Sequence, residues 1–482
     1  MTEPNVLLIV LDSVRARNTS LHGHVNETTP SLAALAAEAT VFEQARAPGT
    51  ESISSHTSLF TGYHVREHGI TNRRHRLTAG HTVWERLADR GYETGVFSNN
   101  PFLTELPVGL GDAFETVVGR SEELPFPDGV NPKDFVIDGP EGPAKYAEFL
   151  RAALRSGRPV GSLLNGLSFK LPDRYERRLP RAIRADSSAG RYADFFLEWA
   201  AAHEGPWAAC LNLMDAHFPY DPGPYDVWGG ERLHALQDAM TDQVWEFAGG
   251  ERPWWQRRAL EGLYDGAIRR MDAQVEHVVG TLRERGTLDD TLLVVTADHG
   301  EGFGEPSRVR PGEHCVGHGN GGVYEALLHV PLLVRPPGGG EGTVVSEPAS
   351  LTEFPRAVDS ALEGDPATAE WFVPSDPVVA ATDGIDPDTQ ERARQYLPDV
   401  DVLTTPADAV YTAADGEVRK EVRWGDCEAT LVVHDAHAQW VVDDTTELLD
   451  PLVDGFEDAG VSTSADGVGS DVKQRLEDLG YA

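Results

Sequence analysis

The most constraining feature of the chain is a nearly continuous apolar run, Asn5–Asp12 (NVLLIVLD), that ends in an acid. Such a run is typical of a strand buried on both faces, as in a parallel sheet, because a strand with one face in water alternates apolar and polar side chains. The segments Pro206–Asp215 and Asp290–Asp298 are also predicted strands that end in aspartate. A sheet buried on both sides needs helices to cover it, so these strands predict an α/β fold.

Helix patterns lie between the predicted strands. The first has Pro30 just inside a Thr29 cap, where the missing proline N–H costs nothing. The predicted strands are Asn5–Asp12, Tyr92–Ser98, Pro206–Asp215, Asp290–Asp298 and Val330–Arg335. The predicted helices are Thr29–Ala39, Val83–Arg90, Gly190–His203 and about Trp255 to Arg285. This alternation favours a doubly wound α/β sheet, mixed or mostly parallel, with helices on both faces.

Two regions break the alternation. Residues from about Ser121 to Arg184 are rich in Pro, Gly and Arg and carry little strand signal, so we expect an insertion or lid over one end of the sheet. From about Ala380 onward, short apolar runs alternate with Asp-rich turns, which indicates a small antiparallel α+β subdomain closed by a helix over Val472–Leu479. We therefore predict a main domain over residues 1–379 and a C-terminal subdomain over residues 380–482.

The charge balance excludes several classes of partner. The 482 residues carry a formal charge of −37, from 78 acidic and 41 basic residues. Such a surface repels nucleic acid and anionic membranes, so neither is an expected partner. Only five of the 41 basic residues are lysines and 36 are arginines. An acidic, lysine-poor surface is typical of a halophilic protein in a salt-loaded cytoplasm, where screening reduces self-repulsion; an ordinary acidic enzyme is the alternative.

Cysteine content and the N-terminus set the expected compartment. The three cysteines are too few and too scattered for a disulfide framework or a thiolate metal site. The first residues carry no basic region, and the run Val6–Val10 is far too short to span a bilayer. We therefore expect a cytoplasmic protein without a membrane span.

Acidic and imidazole side chains follow three of the predicted strands. Asp12 ends the first strand, and Asp298 with His299 ends another. His217 follows Asp215 closely in the run DAHFPY. Ligands of open α/β sheets bind outside the carboxyl ends of the strands, so these groups are expected at one rim. Carboxylates with one or two imidazoles suit a divalent cation such as Ca²⁺, Mg²⁺, Mn²⁺ or Zn²⁺. Asp12 alone could equally be part of a turn, whereas Asp298-His299-Gly300 and His217, for which a turn or a turn cap is the alternative, favour a functional site.

A candidate nucleophile lies in the run Ser52–Gly62 (SISSHTSLFTG), which follows a loop-like Ala-Pro-Gly segment. Its small polar residues are typical of a helix N-terminus, where a hydroxyl meets unpaired N–H donors and the positive end of the helix dipole. An anionic sulfuryl or phosphoryl group is bound well there. The alternative is that Ser52, Ser54 and Ser55 only cap the helix, and on this run alone that alternative is preferred.

Five motifs follow one another along the chain. They are the strand Asn5–Asp12, the run Ser52–Gly62 with His68-Gly69 after it, DAHFPY, ADHGEGFGE (Ala297–Glu305) and YEALLHVPLLVR (Tyr324–Arg335). Together they resemble the sulfatase family of the alkaline-phosphatase superfamily. The resemblance covers about Asn5 to Glu363, and the closing LEDLGYA is also similar to family members. It implies an alkaline-phosphatase-like catalytic domain that hydrolyses sulfate or phosphate esters with one bound divalent metal ion.

The resemblance also assigns a metal site and a nucleophile. Asp12, Asp298 and His299 match the family's cation ligands. Ser52 matches the nucleophile, which also touches the metal.

Four further residues match positions that bind the ester in the family. His217 matches a histidine that contacts the ester anion or the leaving group. Asn72 matches a polar residue near the nucleophile in some phosphonate and phosphate ester hydrolases of the superfamily. His318 lies where many members have an anion-binding Lys or His, and His314 is a second candidate for that role.

The chain departs from the family pattern around the nucleophile. Sulfatases have C-x-P-x-R or S-x-P-x-R there, with the first residue oxidised to formylglycine, whereas this chain has Ser52-Ile53-Ser54-Ser55-His56. Because the proline and arginine are missing, we expect an unmodified serine. A formylglycine hydrate ejects sulfate with its second hydroxyl, but a seryl intermediate must be released by water or another acceptor. This difference favours phosphate esters or group transfer.

Two further departures concern the anion and metal sites. Where sulfatases have a lysine in a Gly-Lys-Trp-His run that binds sulfate, this chain has Asn99. The family's acid pair at the end of the first strand is single here, with Leu11 before Asp12. One carboxylate fewer leaves the identity of the cation open.

The residues leave three functions open. The first is hydrolysis in two steps, in which Ser52 attacks and His217 or His318 protonates or stabilises the leaving oxygen. A phosphoryl or head-group transferase acting on a sugar or lipid acceptor would share the first step. A degenerate, non-catalytic protein would have no need of the intact metal ligands. The expected substrate is a small-molecule or glycan sulfate or phosphate ester, and the oligomeric state stays open.

Overall fold

The structure is a computed structural model that describes residues 3–120, 126, 129–132, 144–170, 189–203, 205–414 and 416–465. The strands are β1 (Asn5–Leu11), β2 (Thr40–Arg46), β3 (His75–Leu77), β4 (Glu93–Ser98), β5 (Thr116–Val118), β6 (Trp207–Leu213), β7 (Thr291–Thr296), β8 (Gly302–Pro306), β9 (His314–Gly317), β10 (Leu332–Arg335), β11 (Thr343–Ser350), β12 (Val378–Thr382), β13 (Ala407–Ala414), β14 (Glu417–Trp424), β15 (Cys427–Val433), β16 (Gln439–Asp443) and β17 (Ser462–Ser464). The α-helices are α1 (Pro30–Leu35), α2 (Ser52–Thr61), α3 (Val65–His68), α4 (Val83–Asp89), α5 (Pro101–Thr104), α6 (Ala144–Arg155), α7 (Pro159–Lys170), α8 (Ala189–Ala202), α9 (Glu231–Asp238), α10 (Trp245–Ala248), α11 (Trp254–Ala259), α12 (Glu261–Glu284), α13 (Glu325–Leu328), α14 (Phe354–Glu363), α15 (Pro387–Ala393) and α16 (Leu449–Val453).

A central sheet of eight strands has the order β11-β2-β10-β7-β1-β6-β4-β5. Strand β10 is antiparallel to both of its neighbours, β2 and β7, and the other pairings of this sheet are parallel. The carboxyl ends of β7, β1, β6 and β4 therefore lie at one edge of the sheet. The predicted mixed, mostly parallel sheet is confirmed.

Strand β1 lies in the middle of the sheet because its apolar run supplies two buried faces. Every residue from Val6 to Leu11 has a relative exposure of 0%. Leu8 lies opposite Cys210 of β6 on one side and opposite Val294 of β7 on the other. Burying an aliphatic side chain of this size stabilises the fold by about 1.5–3 kcal/mol, so this strand contributes strongly to the core.

Helices cover the sheet in two groups. Helix α8 packs against α12 and against strands β4 and β6, where Phe196 contacts Phe97 edge to face. Helix α2 packs against α4 and α14, and Phe60 and Phe354 both pack on Trp84. These layers are the arrangement that a doubly wound sheet requires.

A separate antiparallel sheet follows the central one. Its five strands lie in chain order from β12 to β16, and their inner side chains form a second apolar cluster that includes Tyr411 and Trp424. The predicted C-terminal antiparallel part is confirmed, and its sheet begins at Val378. The division into domains 1–379 and 380–482 stays a prediction, and β17 returns to pair with β3 in the first part of the chain.

One predicted helix is interrupted, and two predictions lie partly or wholly outside the described residues. The segment predicted as one helix from Trp255 to Arg285 is two helices, α11 and α12, separated at Leu260. The Leu260 N–H is shared between the carbonyls of Gln256 and Arg257, which tightens the chain locally. In the described part of 121–184 the chain forms α6 and α7, and the predicted helix Val472–Leu479 lies outside the described residues. Among the described residues, no helix combines the length and the apolar character needed to cross a membrane.

Candidate active site

The predicted acidic groups meet at the carboxyl edge of the central sheet. Asp12 follows β1 and Asp298 follows β7, and these two strands are paired neighbours. One ligand atom from each of Asp12, Asp298 and His299 lies within 4.8 Å of the other two. All three side chains have 0% exposure. The sheet therefore brings together residues that are almost 300 positions apart in the chain.

Asp12 is held by side-chain amides rather than by cations. Its Oδ2 accepts hydrogen bonds from Asn100 (3.0 Å) and Asn212 (3.2 Å), and its Oδ1 accepts one from Ser13 Oγ (3.0 Å). Neutral donors fix the orientation of a carboxylate and leave its charge uncompensated. Among the described residues, Asp12 therefore has no Lys or Arg partner and is available to a cation.

Asp298 has one satisfied oxygen and one oxygen that faces the centre of the site. Its Oδ1 accepts hydrogen bonds from the backbone N–H groups of Ser13 (3.1 Å) and His299 (2.9 Å). Its Oδ2 is buried and has no hydrogen-bond partner in the described part of the chain. Burial raises the pKa of the Asp298 carboxyl, but the His299 and His56 imidazoles lower it more, so the pKa lies below its usual value.

These residues fit a divalent metal ion. A buried carboxylate oxygen without a donor is costly unless a cation compensates it. Two carboxylates and an imidazole form a donor set that Mg²⁺, Mn²⁺, Ca²⁺ or Zn²⁺ accepts. The His299 Nδ1–H donates to the Gly300 carbonyl (2.9 Å), which leaves Nε2 as the nitrogen that can bind a metal.

The glycine after His299 allows the motif to pack against a distant segment. A Cβ on Gly300 would lie 2.0 Å from the carbonyl oxygen of Ala326. The Gly300 N–H also donates to the Leu327 carbonyl (2.7 Å). No other residue type tolerates this approach, so Gly300 ties the loop after β7 to α13.

Ser52 begins helix α2 at the same edge of the sheet. Its side chain is completely buried, and its Oγ lies 3.3 Å from His299 Nε2. The first N–H groups of α2 and the helix dipole favour negative charge at this end. The Ser55 hydroxyl, one turn further on, donates to the Asp298 carbonyl and fixes α2 against β7.

His56 occupies the position where the family pattern has an arginine. Its Nδ1 lies 2.9 Å from the Ser52 carbonyl and 3.5 Å from Asp298 Oδ2. The imidazole therefore lies between the start of α2 and the candidate metal ligands.

Two further predicted histidines join the cluster. The ring of His318 lies 4.5 Å from the ring of His299 and 4.9 Å from that of His217, measured between centroids. His318 Nδ1 lies 2.9 Å from Glu301 Oε2. Burial and the neighbouring His299 ring lower the pKa of His318 to about 4, so His318 is neutral at neutral pH. His217 Nδ1 lies 2.8 Å from the Phe218 carbonyl.

Glu301 is a completely buried carboxylate behind these rings. It accepts hydrogen bonds from Arg257 (2.7 Å) and Tyr220 (2.7 Å) in addition to its contact with His318. Burial raises the pKa of Glu301, but the contacts with His318 and Arg257 lower it more, and it lies well below its usual value. Glu301 is therefore ionised and orients the His318 ring.

A pocket of about 680 Å³, open solvent included, lies beside Ser52. Its lining includes Asn72, His318 and the two chain neighbours of Ser52, Glu51 and Ile53. Burial, with Asp386 adding, raises the pKa of Glu51 to about 8. The pocket is therefore less negative at neutral pH than its acidic side chains suggest.

Asn72 and His314, the other two predicted site residues, lie in different places. Asn72 lines it, and its Oδ1 accepts a hydrogen bond from the Arg74 N–H (3.0 Å). His314, the second candidate for an anion-binding position, stacks on Trp254 with centroids 4.6 Å apart. Among the described residues, no contact joins His314 to the candidate metal ligands.

The sequence match to a known protein family covers most of the chain. The family model of sulfatases matches residues 4–363. The chain belongs to the sulfatase family. Membership confirms the prediction of a sulfatase-type hydrolase of sulfate or phosphate esters. Enzymes of this family depend on a divalent metal, in agreement with the fit of Asp12, Asp298 and His299.

The sulfatase-family chain is also similar to individual proteins. It is 23% identical to an arylsulfatase of Clostridium perfringens over 391 residues, which are 76% of this chain and 77% of that protein. It is 22% identical to arylsulfatase K of Danio rerio over 379 residues, which are 76% of this chain and 65% of that protein. The solved phosphonate monoester hydrolase of Agrobacterium radiobacter matches 89% of each chain with a TM-score of 0.58 and 20% identity, which shows a shared fold.

The sequence of this sulfatase-family chain did not point to several residues that the structure brings to the site. Ser13 has a backbone φ of 62°, uncommon for a residue with a Cβ, and its N–H donates to Asp298 Oδ1. Asn100 and Asn212 hold Asp12 from neighbouring strand ends. The sequence could have indicated Asn100 and Asn212 only through their positions near the ends of β4 and β6. Side chains at the carboxyl ends of parallel strands lie at one edge of the sheet.

Proposed function

We propose that this protein hydrolyses sulfuric or phosphoric esters through a covalent intermediate on Ser52, with a preference for phosphoric esters. One observation carries the proposal: a buried hydroxyl at the N-terminus of α2 lies 3.3 Å from His299 Nε2, within a cluster of two buried carboxylates. A nucleophile of this type needs an activating group and an anion-binding environment, and both are present.

The metal would be held by Asp12, Asp298 and His299, with Ser52 Oγ as a further ligand. When bound, it would supply the positive charge that favours an ionised serine and balances an ester oxygen. Mg²⁺, Mn²⁺, Ca²⁺ and Zn²⁺ are all compatible with this donor set.

The residues of the chain account for the remaining steps. The ionised Ser52 oxygen forms a bond to phosphorus or sulfur while the bond to the leaving oxygen breaks. His217 gives a proton to the leaving oxygen, and the neutral His318 ring lies beside it, with ring centroids 4.9 Å apart. In the second step, water attacks the seryl ester and restores the serine. The first N–H groups of α2 and the Asn72 amide bind the ester oxygens.

The preference for phosphate follows from the unmodified serine. A seryl ester of phosphate is released by water at phosphorus, whereas formylglycine chemistry releases sulfate by a route that a plain serine lacks. The absence of a family-type proline and arginine at Ser54 and His56 supports a serine that stays unmodified.

The test is a panel of aryl sulfate, aryl phosphate monoester and aryl phosphate diester substrates, with Mn²⁺, Mg²⁺, Ca²⁺ or Zn²⁺ at high salt. Ser52→Ala is expected to abolish turnover of every ester that the wild type cleaves. Ser54→Ala is the matched control, because Ser54 Oγ donates to the Glu51 carbonyl (3.1 Å) and has no other hydrogen bond among the described residues. Full turnover by Ser52→Ala would contradict the proposal. Product analysis with an added acceptor alcohol distinguishes hydrolysis from transfer.

A further inference from the structure

The pocket beside Ser52 is completed by the C-terminal part of the chain. Residues of α15 and the turn before it, among them Asp386 and Arg392, line the wall that faces Asn72 and Arg73. The remaining wall includes His318. In an in-line displacement the leaving group points away from the attacking oxygen. His318 lies beside His217, the proposed proton donor to the leaving oxygen, so this pocket is where the leaving group would lie.

Among the described residues, the Arg73 guanidinium in this pocket makes fewer hydrogen bonds than it can. Its Nη2 lies 2.5 Å from Asp388 Oδ2, and its side chain is only 11% exposed. Its Nη1 is buried and has no hydrogen-bond partner in the part of the chain that the structure describes. A buried N–H donor without an acceptor destabilises the folded protein, so an acceptor supplied by a ligand would be bound favourably.

Arg73 shares its carboxylate partner with a second guanidinium, which favours an anionic acceptor at Arg73. Asp388 is shared, because its other oxygen, Oδ1, lies 2.8 Å from Arg74 Nη2. One carboxylate therefore serves two guanidiniums, and the group of three carries a formal charge of +1. Arg392 does not provide a second such site, because its Nε binds Asp242 (2.5 Å).

We propose that Arg73 determines specificity by binding an anionic group, such as a carboxylate or a second sulfate or phosphate, on the leaving-group part of the substrate. The inference rests on the proposed function and names its substrate class: esters whose leaving alcohol carries a negative charge. Guanidinium binds such groups through paired N–H donors, and Asp388 holds the side chain in the required orientation.

The experiment compares two esters that differ by one charge. Phenyl and 4-carboxyphenyl esters are used, with sulfate or phosphate as the reacting group according to which the wild type cleaves. The wild type is expected to prefer the carboxyphenyl ester by about 10- to 100-fold in kcat/KM, the range of a hydrogen bond to a charged group. Arg73→Gln should remove this preference, mainly through KM, while its activity on the phenyl ester is retained.

Two further variants separate recognition from structure. Arg74→Gln is the matched control, because Arg74 shares Asp388 with Arg73 but is 56% exposed. It should keep the preference of the wild type. Arg73→Lys keeps the positive charge but loses the planar set of N–H donors, so it should retain part of the preference.

A wild type without preference for the carboxyphenyl ester would overturn the inference, and so would an Arg73→Gln variant that loses activity equally on both esters. Failure of the proposed function is recognised separately, because it would appear as turnover by Ser52→Ala. In that case, calorimetric binding of the two esters to wild type and Arg73→Gln still tests Arg73.

Discussion

Two clusters of buried charge in this protein are built in opposite ways. At the edge of the central sheet, Asp12 and Asp298 lie together, and no Lys or Arg among the described residues forms an ion pair with either. Where the two sheets meet, Glu325 of α13 lies 2.9 Å from Lys420 and 3.1 Å from Arg46. Among the described residues, the first cluster has two carboxylates without a Lys or Arg partner, and the second has one carboxylate with a Lys and an Arg partner.

The difference separates a ligand site from a structural contact. A buried carboxylate is tolerated only when opposite charge and hydrogen bonds compensate it. The chain provides that compensation for Glu325, so this cluster joins the two sheets without a ligand. For Asp12 and Asp298 the described residues provide amides, a hydroxyl, backbone N–H groups and the His56 and His299 imidazoles but no Lys or Arg, so the two carboxylates suit a bound cation.

The largest effect is expected from a substitution at the candidate metal site. Asp298→Asn removes one of the two charges, and we expect kcat/KM to fall by about 10³-fold, or about 4 kcal/mol. Thermal melts should also lose the stabilisation that an added divalent cation gives the wild type. Both results are measured on the same preparations, by ester turnover and by melting with and without Mn²⁺.

Asp272→Asn is the control for this variant. Asp272 is equally buried, but it accepts the N–H groups of Ser31 and Leu32 (both 3.0 Å) at the start of α1. It should keep the response to the cation. An Asp298→Asn enzyme with normal activity would end the assignment of Asp298 as a metal ligand.

The next effect concerns stability at the other cluster. Glu325→Gln leaves Arg46 and Lys420 buried without a carboxylate and should lower the free energy of unfolding by about 3 kcal/mol. The folded variant should keep the turnover and cation response of the wild type, because Glu325 contacts neither the nucleophile nor the metal ligands. Urea unfolding and ester turnover of the two proteins measure this.

The pH dependence of that difference follows from the pKa of Glu325. Burial raises this pKa, but Arg46 and Lys420 lower it more, so it lies well below the usual 4.5. A depressed pKa gives stability that is complete above the unfolded value and is lost as the pH falls. The difference between wild type and Glu325→Gln should therefore shrink below about pH 4.5. A constant difference down to pH 3 would contradict this account.

The smallest expected effect tests the amides around Asp12. Asn212→Ala removes the 3.2 Å hydrogen bond to Asp12 Oδ2 and should weaken the binding of Mn²⁺ by about 10-fold, as expected for a partner of a metal ligand. Ser98→Ala is the control, since it removes the 2.9 Å contacts of Ser98 Oγ with the Asn212 amide and the Asn100 N–H but keeps both amides that donate to Asp12. Equal losses in both variants, measured by calorimetry, would show that the amide acts only through packing.

The fold was predictable to the extent that local patterns carry it. The run over β1 and the alternation of strands and helices predicted a covered, mostly parallel sheet, because hydrophobic periodicity reports burial. Strand β2, with the pattern TVFEQAR, was not predicted, because it lacks a long apolar run and is recognised only by its pairing with β10 and β11. The break at Leu260 was missed for a similar reason, since apolar periodicity continues across it.

The candidate site was predictable in its residues but not in its supports. Asp12, Ser52, Asp298 and His299 occur in motifs that resemble a known family, and the sheet brings them together. Ser13 and Asn212 carry no such pattern, because their roles depend on a backbone angle and on the order of the strands in the sheet. Side chains at strand ends are therefore easier to predict than the hydrogen bonds that hold them.

By itself, the sequence determined the fold class, the family and the candidate residues at the strand ends, because burial patterns and motifs are local features of the sequence. Only the tertiary structure decided which oxygen of Asp298 and which guanidinium nitrogen of Arg73 have no hydrogen-bond partner among the described residues. The physical reason is that charge compensation depends on distances between residues far apart in the chain, and those distances are fixed by strand order and by the docking of the second sheet.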